Sequence, residues 1–353
     1  MIRVAVIGVG AMGRNHARVY ADIPDVELVG LADIDQETVE SVARRYGCSA
    51  YVNCRRMLEE LAPDAVSVAV PTVDHFSVAN EALELGIHVL VEKPLSLTIE
   101  EGLSLINQAE LAGVELMVGH IERFNPAILA LKARLARGEL GRVFQIDARR
   151  QGPFPARIKD VGVVFDLAVH DLDIMRYVTG VEINRVCAET ERRIHSSRED
   201  LLSALVRLED GCVGTLIINW LTPTKIRELC VIGERGMFRV DYLTQDLYFF
   251  ENSAVPSEDW HLRVLRGVSE GRMIRHVVAK KEPLRVELET FLAAVRGEIA
   301  SPVTGLDGLY ALELARAVVT SGLENRMVDL RQEFTAKFHE MKAITAPHLV
   351  STT

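Results

Sequence analysis

The sequence predicts an α/β protein in two parts: a doubly wound parallel sheet in the first third, then an α+β portion with an open, mostly antiparallel sheet. Three observations carry this reading. Short β-branched runs alternate with helical patterns over residues 1–119, the rhythm changes after His120, and the later runs are joined by short turns.

The first runs, at 4–8, 26–32, 65–70, 88–91 and 114–118, are continuously apolar, the pattern of strands covered on both faces. Helical patterns at 13–22, 36–46, 55–61, 75–85 and 99–112 fill the intervals, and Asp35 and Thr98 stand where helix N-caps belong. Beyond His120 the spacing predicts a helix at 126–136, a strand at 143–149 and a helix at 165–178 that stops at Gly180. Strand-like stretches follow at 183–191, 201–208, 212–220, 228–232, 237–242 and 247–250, with Asp210-Gly211 marking a hairpin turn. Late helices are expected at 286–296 and 306–323, while 251–284 yields no definite element. The expected domains are therefore 1–119, 120–330 and a tail, 331–353, with helical character at 332–343.

A length of 353 residues corresponds to roughly two domains, each large enough to bury a core. Hydrophobic residues at 48% and charged residues at 25% are ordinary for a globular chain. A formal charge of −10 argues against binding a nucleic-acid backbone. No stretch approaches the roughly 20 apolar residues of a membrane span, and the N-terminus lacks a signal-peptide pattern. The five cysteines (Cys48, Cys54, Cys187, Cys212, Cys230) are scattered without metal-ligand spacing, so reduced thiols, a cytoplasmic setting and no metal are expected.

Gly8-Val9-Gly10-Ala11-Met12-Gly13 is a GxGxxG motif that follows an apolar strand and opens a helix. Gly8 permits the tight turn, Gly10 lets backbone approach a pyrophosphate, and Gly13 allows close helix–strand packing. Free N–H groups in the first helical turn, beginning at Ala11 and Met12, present a positive dipole end to phosphates. Asp33 lies twenty residues beyond Gly13, at the end of the second strand, where a carboxylate accepts ribose hydroxyls. A 2′-phosphate would meet that carboxylate with no arginine at the neighbouring Ile34, which favours NAD over NADP. The motif in this context predicts a Rossmann dinucleotide-binding domain.

Further segments carry a resemblance. Glu92-Lys93-Pro94 directly follows the run Val89-Leu90-Val91; Val70-Pro71-Thr72-Val73-Asp74-His75 is similar to a TPNxxH loop; and Asp166-Leu167-Ala168-Val169-His170-Asp171-Leu172-Asp173 is a DxxxHxxD segment. With the hinge-like Gly119-His120-Ile121-Glu122-Arg123-Phe124-Asn125-Pro126, these make residues 1–325 resemble the glucose–fructose oxidoreductase / inositol dehydrogenase / MocA-like (Gfo/Idh/MocA) family. The resemblance implies an NAD-dependent sugar dehydrogenase that assembles as a homodimer or homotetramer. It implies His170 as general base, Lys93 as the group bonding the reacting hydroxyl, and Asp166 as the residue orienting Lys93 or the substrate. Pro71, Thr72, His75, Glu92 and Lys93 would lie beside the cofactor. Val70 and Thr72 depart from the family loop, and Val161-Gly162-Val163 replaces a glycine triplet often found before the aspartate.

The chemistry is consistent with the residue types. Oxidising a secondary alcohol needs a base, a hydride acceptor and a cation or donor at the developing alkoxide. Lys93 ends a parallel strand, where open α/β sheets bind ligands, and Asp166 and His170, four apart, would share one face of a helix. Arg123 is a candidate substrate contact or a hinge salt bridge, Glu92 a cofactor contact or a structural acceptor, and Asp173 a substrate candidate.

The segment 149–160 holds four cations in eleven residues, Arg149, Arg150, Arg157 and Lys159, on a loop that suits phosphate recognition. With 161–166 it resembles bacterial UDP-N-acetylglucosamine 3-dehydrogenases, and Arg157 and Lys159 are the expected substrate contacts. Open alternatives are a free-polyol or inositol dehydrogenase, an NAD-dependent glycosidase of N-acetylhexosaminides, and a non-catalytic dinucleotide-sensing regulator.

Overall fold

The computed structural model describes residues 1–155, 161–194, 197–253 and 270–331. The chain divides into two compact units: Met1–Asn125 with Lys281–Glu313, and Pro126–Lys280 with the residues from Leu314 onward. This differs from the single cut expected near residue 119. A late segment returns to complete the first unit, which a reading of consecutive elements could not show.

In the first unit, β1 (Ile2–Ile7), β2 (Val26–Ala32), β3 (Ser49–Tyr51), β4 (Ala65–Val68), β5 (His88–Glu92) and β6 (Leu116–Gly119) form one sheet in the order β3-β2-β1-β4-β5-β6. All the pairings are parallel. Val4, Val6, Val66, Val68, Val89 and Leu90 are fully buried, which is why these strands read as continuous apolar runs. Helices α1 (Ala11–Ala21), α2 (Gln36–Tyr46), α3 (Cys54–Leu61), α4 (His75–Glu84) and α5 (Ile99–Ala112) supply the crossovers. Asp35 caps α2 through Thr38 N–H at 3.0 Å, and Thr98 forms a reciprocal capping box with Glu101 on α5, as expected. The chain winds outward from β1 to β3 and then returns to β4, so the switch in strand order falls between β1 and β4. Open α/β sheets bind ligands in the crevice at such a point. The three-residue β3 carries too little pattern to be read from sequence.

The second unit holds a nine-stranded sheet. Its strands are β7 (Val143–Gln151), β8 (Ile183–Glu191), β9 (Leu201–Leu208), β10 (Val213–Asn219), β11 (Ile226–Gly233), β12 (Gly236–Asp241), β13 (Asp246–Asn252), β14 (Glu270–His276) and β15 (Val328–Asp329), in the order β14-β13-β12-β11-β7-β10-β9-β8-β15. Among the described strands β7 and β10 pair in parallel and the other neighbours antiparallel. Asp210-Gly211 makes the expected turn between β9 and β10, with Gly211 at φ 93°. Alternation is strict along β9: Leu202, Ala204, Val206 and Leu208 point inward and Leu205 outward. The inward face shares one core with Leu131 of α6 (Pro126–Ala136) and Leu172 and Met175 of α7 (Val169–Thr179). The outward face exposes Leu205, Ile217 and Met273.

The last helices are α8 (Pro283–Val295) and α9 (Gly305–Glu324). α8 packs on α1 and buries Leu284, Leu288, Phe291 and Leu292. Full burial of such a side chain contributes about 1.5–3 kcal/mol. Among the described residues no helix is long and apolar enough to cross a membrane. The helical tail expected at 332–343 lies outside the described residues.

Candidate active site

The glycine motif occupies the end of β1. Gly8 has φ 86°, and a Cβ there would meet the Ala69 carbonyl at 2.7 Å. A Cβ on Gly13 would fall 1.7 Å from the Gly8 carbonyl oxygen, so only glycine lets α1 approach the turn. Gly10 differs: a Cβ on it would meet no protein atom within 4 Å. Its backbone therefore faces open space at the start of α1, where no side chain caps the helix. The N–H groups of the first turn at Ala11 and Met12 open that helix, and this is what a pyrophosphate requires.

Asp33 closes the other side of this turn. Its carboxylate accepts Val9 N–H at 2.7 Å and Asp35 N–H at 3.0 Å, one bond on each oxygen. Each oxygen keeps lone-pair capacity for a ribose hydroxyl. Ile34 beside it is 94% exposed and offers no cation to a 2′-phosphate. The residues thus fit NAD: an uncapped helix start for phosphates, an uncrowded Gly10 and a carboxylate already held in place.

Two further loops of this unit are fastened together by His75, which is buried at the start of α4. Its Nδ1 lies 2.7 Å from the Pro94 carbonyl and its Nε2 3.1 Å from the Val70 carbonyl. Burial depresses its pKa despite these hydrogen bonds, and a neutral ring can donate to only one carbonyl. His75 is thus a fastener between the 70–75 loop and the Glu92-Lys93-Pro94 turn, while Pro71 is exposed and Thr72 half-buried.

At that turn the Lys93–Pro94 peptide is cis, and Lys93 is half-buried at the carboxyl end of β5. Glu92 is buried. Its Oε1 pairs with His16 Nε2 at 3.0 Å and its Oε2 accepts Lys93 N–H at 3.3 Å. Burial works to raise the Glu92 pKa, but the His16 hydrogen bond and the nearby cationic Lys93 outweigh it and hold it below the ordinary carboxyl range. The described contacts of Glu92 are therefore structural. His16 escaped the sequence reading because its partner stands far along the chain.

Arg123 takes the salt-bridge role. It is 5% exposed, and its guanidinium donates to Asp307 at 3.0 Å and to the Pro302 carbonyl at 3.1 Å, binding the end of this unit's first segment to its returning segment.

In the second unit the expected helix from residue 165 begins differently. Val164–Ala168 is π-helical and passes into α7 at Val169. The wider turn departs from the α spacing expected for Asp166 and His170, and such turns are frequent at functional sites. Leu167, Ala168, Val169 and Asp171 are buried, whereas Asp166 and His170 remain partly exposed. Glu199, missed in the sequence, fixes the entry: its backbone carbonyl accepts Val163 N–H at 2.9 Å and its side chain accepts Val164 N–H at 3.3 Å.

Asp173 is 1% exposed. Asp171 receives a two-pronged donation from Arg150, at 2.7 and 3.1 Å, and Arg150 lies 5.0 Å from the Tyr242 ring centroid. Arg149 donates to Glu228 at 3.3 Å. Two of the four cations in the basic segment are thus engaged within the unit, and Arg157 and Lys159 lie outside the described residues.

Comparison with known proteins agrees with these features. Residues 2–120 match the model described as an oxidoreductase family with an NAD-binding Rossmann fold, and residues 128–239 match the GFO/IDH/MocA C-terminal domain. The chain is 32% identical to UDP-N-acetylglucosamine 3-dehydrogenase of Acidithiobacillus ferrooxidans, covering 90% of this chain and 96% of the relative. A solved structure of that enzyme superposes with a TM-score of 0.81 over 91% of this chain and 97% of the other. The chain is also 36% identical to scyllo-inositol 2-dehydrogenase (NAD(+)) of Bacillus subtilis, over 95% of this chain and 98% of the relative.

Proposed function

Since this chain belongs to the Gfo/Idh/MocA family of NAD-binding oxidoreductases, we propose that it oxidises the 3-hydroxyl of a UDP-linked N-acetylhexosamine to the 3-keto sugar. NAD, when bound, supplies the hydride acceptor. The glycine turn holds its phosphates and Asp33 its adenosine ribose. In this reading Lys93 hydrogen-bonds the reacting hydroxyl and steadies the alkoxide, His170 takes the hydroxyl proton, and Asp166 orients Lys93 or the substrate. An imidazole suits the role because its ordinary pKa lies near neutrality.

The observation that carries the nucleotide-sugar assignment is the near full-length match to the Acidithiobacillus ferrooxidans enzyme in both sequence and structure. Arg157 and Lys159 are proposed to meet the diphosphate, because Arg149 and Arg150 already face Glu228 and Asp171. A second reading, oxidation of a free inositol, is favoured by the 36% identity to the Bacillus subtilis enzyme.

One assay separates them. The protein is incubated with NAD and, separately, UDP-N-acetylglucosamine, scyllo-inositol, myo-inositol and glucose, while NADH absorbance is followed. Turnover of the nucleotide sugar is expected. Turnover of the free polyols alone would overturn the assignment in favour of the second reading, and release of free sugar without net NADH would indicate glycoside cleavage.

A further inference from the structure

Glu287 lies on α8, in the segment that returns to the NAD-binding unit. Its side chain is 0% exposed, and neither carboxyl oxygen has a hydrogen-bond partner. A bare carboxylate without donors is strongly disfavoured inside a protein, and a group so placed holds its proton instead. Three elements of the unit bring titratable or charged groups toward it. Tyr20 comes from α1 and Glu122 from the turn Ile121–Phe124, both packed on α8, and Glu92 from the end of β5.

The neighbours divide the charge unequally. Tyr20 is fully buried with its hydroxyl 2.8 Å from Ser67 Oγ, and burial pushes its ionisation further up. Glu92 is held ionised by its hydrogen bond with His16 and by the charge of Lys93, whose backbone N–H it also accepts. Burial first, then the charges of Glu92 and Glu122, drive Glu287 the other way, well above the ordinary carboxyl range. Two interacting buried carboxyls cannot both be ionised cheaply, so one keeps the proton.

We propose that Glu287 is a positioning residue that stays protonated at neutral pH, so that it adds no negative charge beside Glu92 behind Lys93, and that its charge state tunes the ionisation of Lys93 through Glu92. This rests on the role proposed above for Lys93. Loss of the Glu287 proton in alkali would add a further negative charge to the cluster. Lys93 would then hold its own proton to higher pH than with a permanently neutral group at position 287.

Two measurements test this. The first needs no activity: infrared difference spectra of wild type against Glu287→Gln, without substrate, in heavy water near neutral pH. A carbonyl stretch of a protonated carboxylic acid is expected in the wild type and absent from the variant, and its absence from both would overturn the proposal. Glu287→Met serves as the same reference should the glutamine variant not fold. The second is the pH profile of kcat/KM. The alkaline limb of Glu287→Gln is expected to move to lower pH by a few tenths to about one pH unit, and an unmoved limb would reduce Glu287 to a structural residue. Should Lys93→Met retain turnover with the same limb, the proposed role of Lys93 falls while the infrared result stands, so the two failures are distinguishable.

Discussion

The Asp33 carboxylate accepts the backbone N–H of Val9, the central residue between the first two motif glycines, at 2.7 Å. One residue thereby both shapes the phosphate-facing turn and presents a charge to the ribose. Asp33→Ala is expected to weaken NAD binding by about 10- to 100-fold, the loss of one or two hydrogen bonds to a charged group. Discrimination against NADP should shrink with it. Fluorescence titration with both dinucleotides checks this, and a wild type that binds NADP as tightly as NAD would refute the role given to Asp33.

Gly10 and Gly13 are expected to respond oppositely to the same methyl group. Gly13→Ala drives a Cβ onto the Gly8 carbonyl oxygen and should cost about 1–3 kcal/mol or more of stability. Gly10→Ala meets no protein atom, so its denaturation midpoint should stay near wild type while NAD affinity falls. Urea unfolding and NAD titration of the pair provide the check.

For the chemistry, His170→Ala is expected to lower kcat by roughly 10²- to 10⁴-fold, the usual contribution of a positioned base. Lys93→Met should lower it by on the order of 10²- to 10³-fold, as for loss of one alkoxide-stabilising donor. NAD affinity should change little in His170→Ala. Near wild-type kcat in either variant would remove that residue from the reaction.

The Arg150–Asp171 pair is almost completely enclosed, with side-chain exposures of 4% and 1%. Removing one partner takes the two-pronged bond away from the other buried charge, so Arg150→Met or Asp171→Asn should each cost about 3–5 kcal/mol. The double variant should lose less than the sum. Chemical denaturation of all four proteins closes that cycle, and strict additivity would deny the coupling.

Acid sensitivity follows from Asp307. Burial works to raise its pKa, but the charge and hydrogen bond of Arg123 outweigh it and hold it below the ordinary carboxyl range. A carboxyl depressed in the folded state binds protons less readily than in the unfolded chain. Its stabilisation is therefore present above the unfolded value, about 4 for aspartate, and is lost as the pH falls through the depressed folded value. Asp307→Asn should be less stable than wild type near neutrality, with the difference shrinking on acidification. A difference that grows toward low pH would contradict this sign.

The legible features were local ones. Gly8, Gly10 and Gly13 advertise a turn within six residues, Asp35 and Thr98 cap helices through partners three residues away, and Asp210-Gly211 turns a hairpin in place. What stayed hidden depends on distance along the chain. His16 meets Glu92, Glu199 anchors the entry to the π turn, and Arg123 finds Asp307, none of which leaves a periodic trace. The π turn itself hides because its composition is that of an ordinary helix. β14 falls within the stretch 251–284, whose pattern favours no element, and it is recognisable only from its pairing with β13.

The return of residues 281–313 to the NAD-binding unit has a consequence for biosynthesis. On the ribosome the first 125 residues emerge without α8, whose Leu284, Leu288 and Phe291 are buried only once that helix docks. The nucleotide-holding unit must therefore wait, incompletely covered, until translation has passed residue 295. An excised fragment ending at Asn125 would keep the glycine turn yet lack part of its own interior, inviting aggregation.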